Sequence, residues 1–440
     1  MTTDQQLPPP PPLPPPAPPT VPRQHGRFTS EVMAGGSVVE KDDDELVGGW
    51  RGAFGILAVV ALIGSLALFS IWWFVFAVGL LVAIFLHEVG HFVTARWTGM
   101  KATQFFIGFG PRLWSFRRGE TEYGVRAIPA GAFVRIIGMN SMDDVDPADE
   151  DRTYRSKSYP RRLLVISAGS LMHMLLAVLL LFGVYAIDGE LEQRQGAEIA
   201  QVAAGTPAME AGLLEGDVVL SIDGEPVDDS AALGRIVQSN EPADVLAFEV
   251  LRDGELIIVP VGLGANTDED SPLFGKPYVG VASGGYYETI EHSVPAAAAN
   301  AVTDIIPVSW EMTKGAVKVL NPVNIFTHLA GTNDDLETRP TTLVGVTAIS
   351  DDVGEAEGVV GIMYLFAVLN VFVGVFNMFP LLPLDGGHAA IATYERIREG
   401  RSGKRYYADV AKLMPFAMAV MVLLLGLFTA GLYLDTFNPL

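Results

Sequence analysis

The chain has 440 residues, half of them hydrophobic, with a mean hydropathy of +0.33 and a net charge of −22. That balance excludes an ordinary soluble protein and points to several bilayer crossings joined to soluble parts. The acidic charge excludes nucleic acid as a partner held by bulk electrostatics, and the absence of cysteine excludes disulfides and thiolate-bound metals, leaving His, Asp and Glu as ligands.

Residues 1–50 combine a near-continuous proline tract, Pro8 to Pro19, with the acidic run Asp42 to Glu45. They read as a disordered tail and lack the basic start and apolar core of a signal peptide. From Gly52 to Val93 no charge appears before His87. A single helix of that length would reach about 60 Å, twice the hydrocarbon thickness, so two crossings are expected, at 52–70 and 71–97. Trp72 and Trp73 would lie at the interface between them.

The second crossing ends in His87-Glu88-Val89-Gly90-His91. In HExxH, two imidazoles spaced i and i+4 share a helix face and can bind one metal ion, with the glutamate beside them as general base. The competing reading is a pair of packing histidines with Glu88 salt-bridged to Arg96. Ionisable groups at membrane depth are costly and usually functional, which favours the metal.

Residues 103–138 follow as a connecting segment, then a span at 163–187. Segment 197–283 reads as a soluble α/β domain. Its short apolar runs, such as Val218-Val219-Leu220-Ser221-Ile222, are split by the turns Asp223-Gly224 and Asp253-Gly254. An amphipathic stretch at 296–329 and spans at 358–381 and 413–434 complete the chain. Twelve Lys/Arg lie from Arg96 to Arg162 and six from Arg396 to Lys412, against seven in 188–357. The positive-inside rule then places 96–162 and 382–412 in the cytoplasm and 188–357 outside.

The span at 358–381 runs into Asn377-Met378-Phe379-Pro380-Leu381-Leu382-Pro383-Leu384-Asp385-Gly386-Gly387-His388. Zinc needs a third protein ligand. Asp385 is at the cytoplasmic end of its span, as His87 and His91 are of theirs. The prolines and paired glycines break the helix there. His388 is a rival third ligand, and Asn377 could donate to substrate or to a developing oxyanion.

HEVGH in one span, NMFPLLPLDGGH in a later one and a domain with PDZ-like features between them resemble the site-2 protease family of intramembrane zinc metalloproteases. Phe105-Phe106-Ile107-Gly108-Phe109-Gly110-Pro111 is similar to the family's actinobacterial branch, the regulators of intramembrane proteolysis that act on anti-sigma factors. The resemblance spans about 70–435. It implies a polytopic α-helical membrane protein of four core transmembrane helices, with one extra at the N-terminus, a membrane-associated β-loop at 103–138 and an extracytoplasmic PDZ-like α/β domain. It also implies Zn2+ on His87, His91 and Asp385, Glu88 as the catalytic base and Asn377 positioning substrate. The implied partners are the lipid bilayer of a bacterial plasma membrane, single-span membrane protein substrates and an upstream site-1-type protease that cuts first. The chain departs from the family pattern at Ser170 and His173, where proline and asparagine are usual, and at Gly131-Ala132, where a glycine pair is usual. Two other classes stay open: a membrane zinc peptidase with a glutamate as third ligand, and a non-catalytic adaptor that binds partners through its PDZ-like domain.

Overall fold

The computed structural model describes residues 49–139, 145–267, 274–333, 335, 338–403, 406–408 and 410–438; residues 1–48 of the expected tail lie outside them. In chain order the elements are α1 (Trp50–Ser65), α2 (Ile71–Trp97), β1 (Ala102–Arg118), β2 (Thr121–Ile136) and α3 (Tyr159–Ile187). Next come β3 (Glu190–Val202), α4 (Pro207–Ala211), β4 (Val218–Ile222), β5 (Glu225–Pro226), α5 (Ser230–Gln238), β6 (Val245–Arg252) and β7 (Glu255–Gly262). After β8 (Gly264–Ala265), β9 (Pro277–Tyr278) and β10 (Val281–Ile290) the chain is helical: α6 (Val294–Thr303), α7 (Ile305–Val319), α8 (Pro322–Leu329), α9 (Leu343–Asn377), α10 (Asp385–Ser402) and α11 (Met414–Phe437).

Among the described residues five helices are long and apolar enough to cross a bilayer: Trp50–Leu68, Ile71–Trp97, Tyr159–Ile187, Leu343–Asn377 and Met414–Phe437. The split near residue 70 has a local cause. The helix tightens to a 3-10 turn at Leu66–Leu68, and the Ser70 hydroxyl caps the next helix by accepting from the Trp72 amide. The helix α9 runs from Leu343 but consists of two helical stretches joined across Gly358, which takes φ 66 and ψ −142, so the expected start at 358 coincides with this break. A left-handed break of this kind suits glycine, which has no Cβ to clash.

The chain divides into two units. The first comprises Met1–Met172, Lys318–Gly345 and Gly374–Leu440. In it β1 and β2 fold into more than a simple hairpin. Phe105 pairs with both Val134 and Tyr123, and Phe106 with both Phe133 and Gly124. Each strand therefore doubles back, giving four rungs with 112–118 on one edge and 132–136 on the other. Phe105 of this sheet, Ala95 of α2, Val165 and Ile166 of α3 and Ala389 of α10 share one buried core.

The segment 382–412, expected as a cytoplasmic loop, carries helix α10 over most of its length. Here Gly386 and Gly387 start a helix after a tight reversal. A Cβ at Gly386 would lie 2.2 Å from the Met378 carbonyl oxygen, and one at Gly387 2.7 Å from the Leu382 amide nitrogen. The far half of α10 is tied down by a buried ion pair, Arg162 Nη1 to Glu395 Oε2 at 2.5 Å, while Glu395 Oε1 accepts from the Ala408 amide at 2.8 Å. Breaking a buried pair strands a charge, so Glu395→Ala should cost about 3–5 kcal/mol. The check is thermal unfolding of the purified protein; a melting temperature equal to wild type would show the pair to be dispensable.

The second unit comprises His173–Val317 and Val346–Val373. Its sheet is antiparallel in the order β10-β3-β4-β6-β7, with β5 beside β4. Phe248, Ile199, Val219, Ile222, Val250 and Val261 form its core, and α5 covers it with Leu233, Ile236 and Val237. The sheet extends past the 197–283 read from sequence, because β3 and β10 pair from Val202↔Val281 out to Glu190↔Ile290. Within this unit His173 is a buried packing histidine: its Nδ1 lies 2.7 Å from Asn370 Oδ1, joining α3 to α9.

Candidate metal centre

One turn of α2 separates His87 from His91, and both rings are buried on the same face. Their Nε2 atoms are 3.0 Å apart. The first residue of α10 completes the group: Asp385 Oδ2 lies 3.4 Å from His87 Nε2 and 3.3 Å from His91 Nε2. Among the described residues these three are the cluster whose ligand atoms converge closely enough for one ion. His388, the rival ligand, lines the same cavity but is not in that cluster.

The surroundings fix the rings for this purpose. His91 Nδ1 donates to the Val165 carbonyl at 2.7 Å, which leaves the Nε2 lone pair aimed at the other two ligands. α2 and α3 touch almost backbone to backbone: a Cβ on Gly90 would sit 2.6 Å from the Ala168 oxygen. A Cβ on Gly169 would sit 2.3 Å from Cε1 of His87. Gly90 of HEVGH is thus a packing residue, and Gly169 forms the floor on which His87 rests. Gly169→Val should tilt that ring and weaken zinc binding roughly 10- to 100-fold, the usual scale for disturbing a ligand's support. Zinc retention against a competing chelator measures this, and unchanged retention would remove the role given to Gly169.

Glu88, which follows His87, lines the cavity with the three residues, and its carboxylate accepts from the Val134 backbone N–H. Arg96, its rival partner, lies over the Phe92 ring at 5.6 Å. The cavity encloses about 180 Å³. Phe109 and Phe133 roof it, with Phe133 stacked between Phe106 and Phe109 and the Arg126 guanidinium over Phe106 at 4.7 Å. Asn377, the last residue of α9, also lines it. The backbone groups of Val134 and Val165 are partners that no side-chain pattern reveals. Gly169 lies next to Ser170, one of the departures from the family pattern, but nothing in the sequence there names the ring it supports.

The residues present fit zinc. Four ligands at about 2.0–2.1 Å place neighbouring donor atoms roughly 3.3 Å apart in a tetrahedron, and the three observed separations are 3.0, 3.3 and 3.4 Å. Asp385 Oδ2 is buried without a hydrogen-bond partner among the described residues. Three converging acceptor atoms repel one another unless a cation sits between them.

Two histidines and a glutamate on a helix able to cross a bilayer, with a carboxylate brought to them by α10, form a donor set that suits a membrane metalloprotease. The comparisons make that specific. The model of peptidase family M50 matches residues 75–424. Zinc metalloprotease Rip1 of Mycobacterium tuberculosis is 32% identical over 399 residues, covering 83% of this chain and 97% of that protein. Zinc metalloprotease Rip1 of Mycolicibacterium smegmatis is 31% identical over 408 residues, covering 85% and 99%. A solved PDZ domain of an SdrC-like protein from Listeria monocytogenes matches 21% of this chain and 90% of its own, at 21% identity and a TM-score of 0.19. The chain belongs to peptidase family M50: it is a multi-pass intramembrane zinc metalloprotease of the site-2 type.

Proposed function

We propose that His87, His91 and Asp385 hold the zinc, that Glu88 is the general base, and that the enzyme cuts peptide bonds within the transmembrane segments of single-span proteins. The observation that carries this reading is the convergence of the three ligand atoms within 3.4 Å in a cavity that Glu88 shares. Bound zinc supplies Lewis acidity, polarising the scissile carbonyl and making a water acidic enough to attack. Glu88 accepts the proton of that water and returns it to the leaving amide nitrogen. A bond from the Val134 amide would help to hold the Glu88 carboxylate in the cavity. Asn377 offers an amide donor on the cavity wall for the substrate backbone.

A membrane helix hides its carbonyls in i→i−4 bonds, so the substrate must unwind before it can be cut. The edge rung 132–136 supports a way to do this. Ala132, Phe133, Val134 and Ile136 line the zinc cavity, and a strand at a sheet edge can pair with an extended chain. Unwound substrate would exchange helical hydrogen bonds for these.

The Lys/Arg distribution supports a site near the cytoplasmic face and an outer PDZ-like domain. Such a domain would turn away bulky ectodomains, making the enzyme second in a two-step proteolysis of substrates such as anti-sigma factors. In proteoliposomes, a single-span substrate shortened to a stub outside should be cut far faster than the same substrate with its full ectodomain. Equal rates would discard the size filter and leave the intramembrane cut standing.

A further inference from the structure

A second cavity, of about 730 Å³, opens at the first turn of α3 and shares no lining residue with the zinc site. Its walls carry four cations, Arg155, Lys157, Arg162 and Arg396, against one carboxylate, Glu399. Some of that charge is answered. Glu150 grips Arg155 at 2.6 Å, Glu395 takes one Nη of Arg162, and Glu399 lies 3.9 Å from Arg396. Two donors are not. Lys157 Nζ bonds a neutral group, the Asp151 carbonyl, at 2.8 Å. Arg162 is 5% exposed, yet its Nε has no hydrogen-bond partner among the described residues.

A buried guanidinium N–H without an acceptor is costly. An oxyanion would satisfy it, and planar guanidinium donors suit phosphate. The opening turn of α3, with Ser158, Tyr159 and Pro160 on the cavity wall, adds the positive end of a long dipole. The volume falls within the ~300–1,000 Å³ typical of small-molecule sites. Its place selects the ligand. α3 can cross a bilayer, and its first turn marks the end of that span, where lipid phosphates lie and where tyrosines such as Tyr159 and Tyr407 collect.

We propose that this cavity binds the phosphate of an anionic phospholipid head-group. Arg396, Glu399 and Gly400 of its wall belong to α10, the helix that begins at Asp385. A bound head-group would therefore brace the helix bearing the third zinc ligand.

The test is native mass spectrometry of the full-length protein in neutral detergent, titrated with phosphatidylglycerol or phosphatidylcholine, with and without excess inorganic phosphate. Wild type should retain phosphatidylglycerol selectively, and inorganic phosphate should not displace it. The double variant Lys157→Gln, Arg396→Gln should bind it roughly 30-fold more weakly, at the usual contribution of two basic residues, with zinc content unchanged as the control for folding. Arg396→Lys with Lys157→Arg should restore retention. Equal retention by wild type and the double variant would overturn the site. Binding of inorganic phosphate without phospholipid preference would overturn the lipid as its ligand.

Discussion

Replacing Glu88 with glutamine is expected to slow peptide cleavage by roughly 10²- to 10⁴-fold, the share that general acid–base catalysis contributes. Zinc should stay bound. Glutamine keeps the size of the side chain and can still accept from the Val134 amide through its carbonyl oxygen, but it cannot take a proton from water. The three ligand atoms belong to other residues, so metal content separates a lost base from a lost site. Single-turnover cleavage, measured beside zinc per protein, reads both quantities. Full activity in Glu88→Gln would remove the residue from the chemistry. Loss of zinc along with activity would make Glu88 part of the metal site rather than its base.

Asp385→Ala is expected to release the metal. The two imidazoles are neutral ligands, so Asp385 brings the one negative charge among the three that offsets a dication in this partly buried site. Binding energies of about 10–16 kcal/mol shared among four ligands suggest roughly 3 kcal/mol for each, a hundredfold or more in affinity. His388→Ala is the matched control, because His388 lines the same cavity outside the ligand cluster. Zinc per protein after dialysis should fall in the first variant and hold in the second. The reverse outcome would make His388 the third ligand.

The sequence disclosed those parts of the site that chain spacing controls. His87 and His91 are one helical turn apart, so their shared face follows from the 3.6-residue period alone. Asp385 is almost three hundred residues away. It was legible only because Asn377 to His388 ends an apolar run with prolines, glycines and a carboxylate together. What those glycines do was not legible. They read as breakers, yet the chain turns through them straight into α10, because their lack of Cβ lets the helix start against the Met378 carbonyl. The same limit hides Gly169 beneath His87, the Val165 carbonyl on His91 and the Val134 amide on Glu88. These are contacts of backbone or of missing atoms, and they depend on how closely two elements approach. The four-rung sheet escaped for a related reason. Its doubled pairing comes from bends near Gly110 and Gly131, where φ is positive, and alternation of side chains does not record which edge a strand presents.

The most direct measurement maps the cut itself. Purified protein and a single-span substrate are placed in proteoliposomes with zinc supplied, and the product ends are read by mass spectrometry for wild type and Glu88→Gln. The expected result is a new terminus within the apolar span, made by wild type and missing from the variant. Cuts confined to residues outside the span, or the same cut from Glu88→Gln at the wild-type rate, would contradict a zinc centre that hydrolyses peptide bonds inside the membrane.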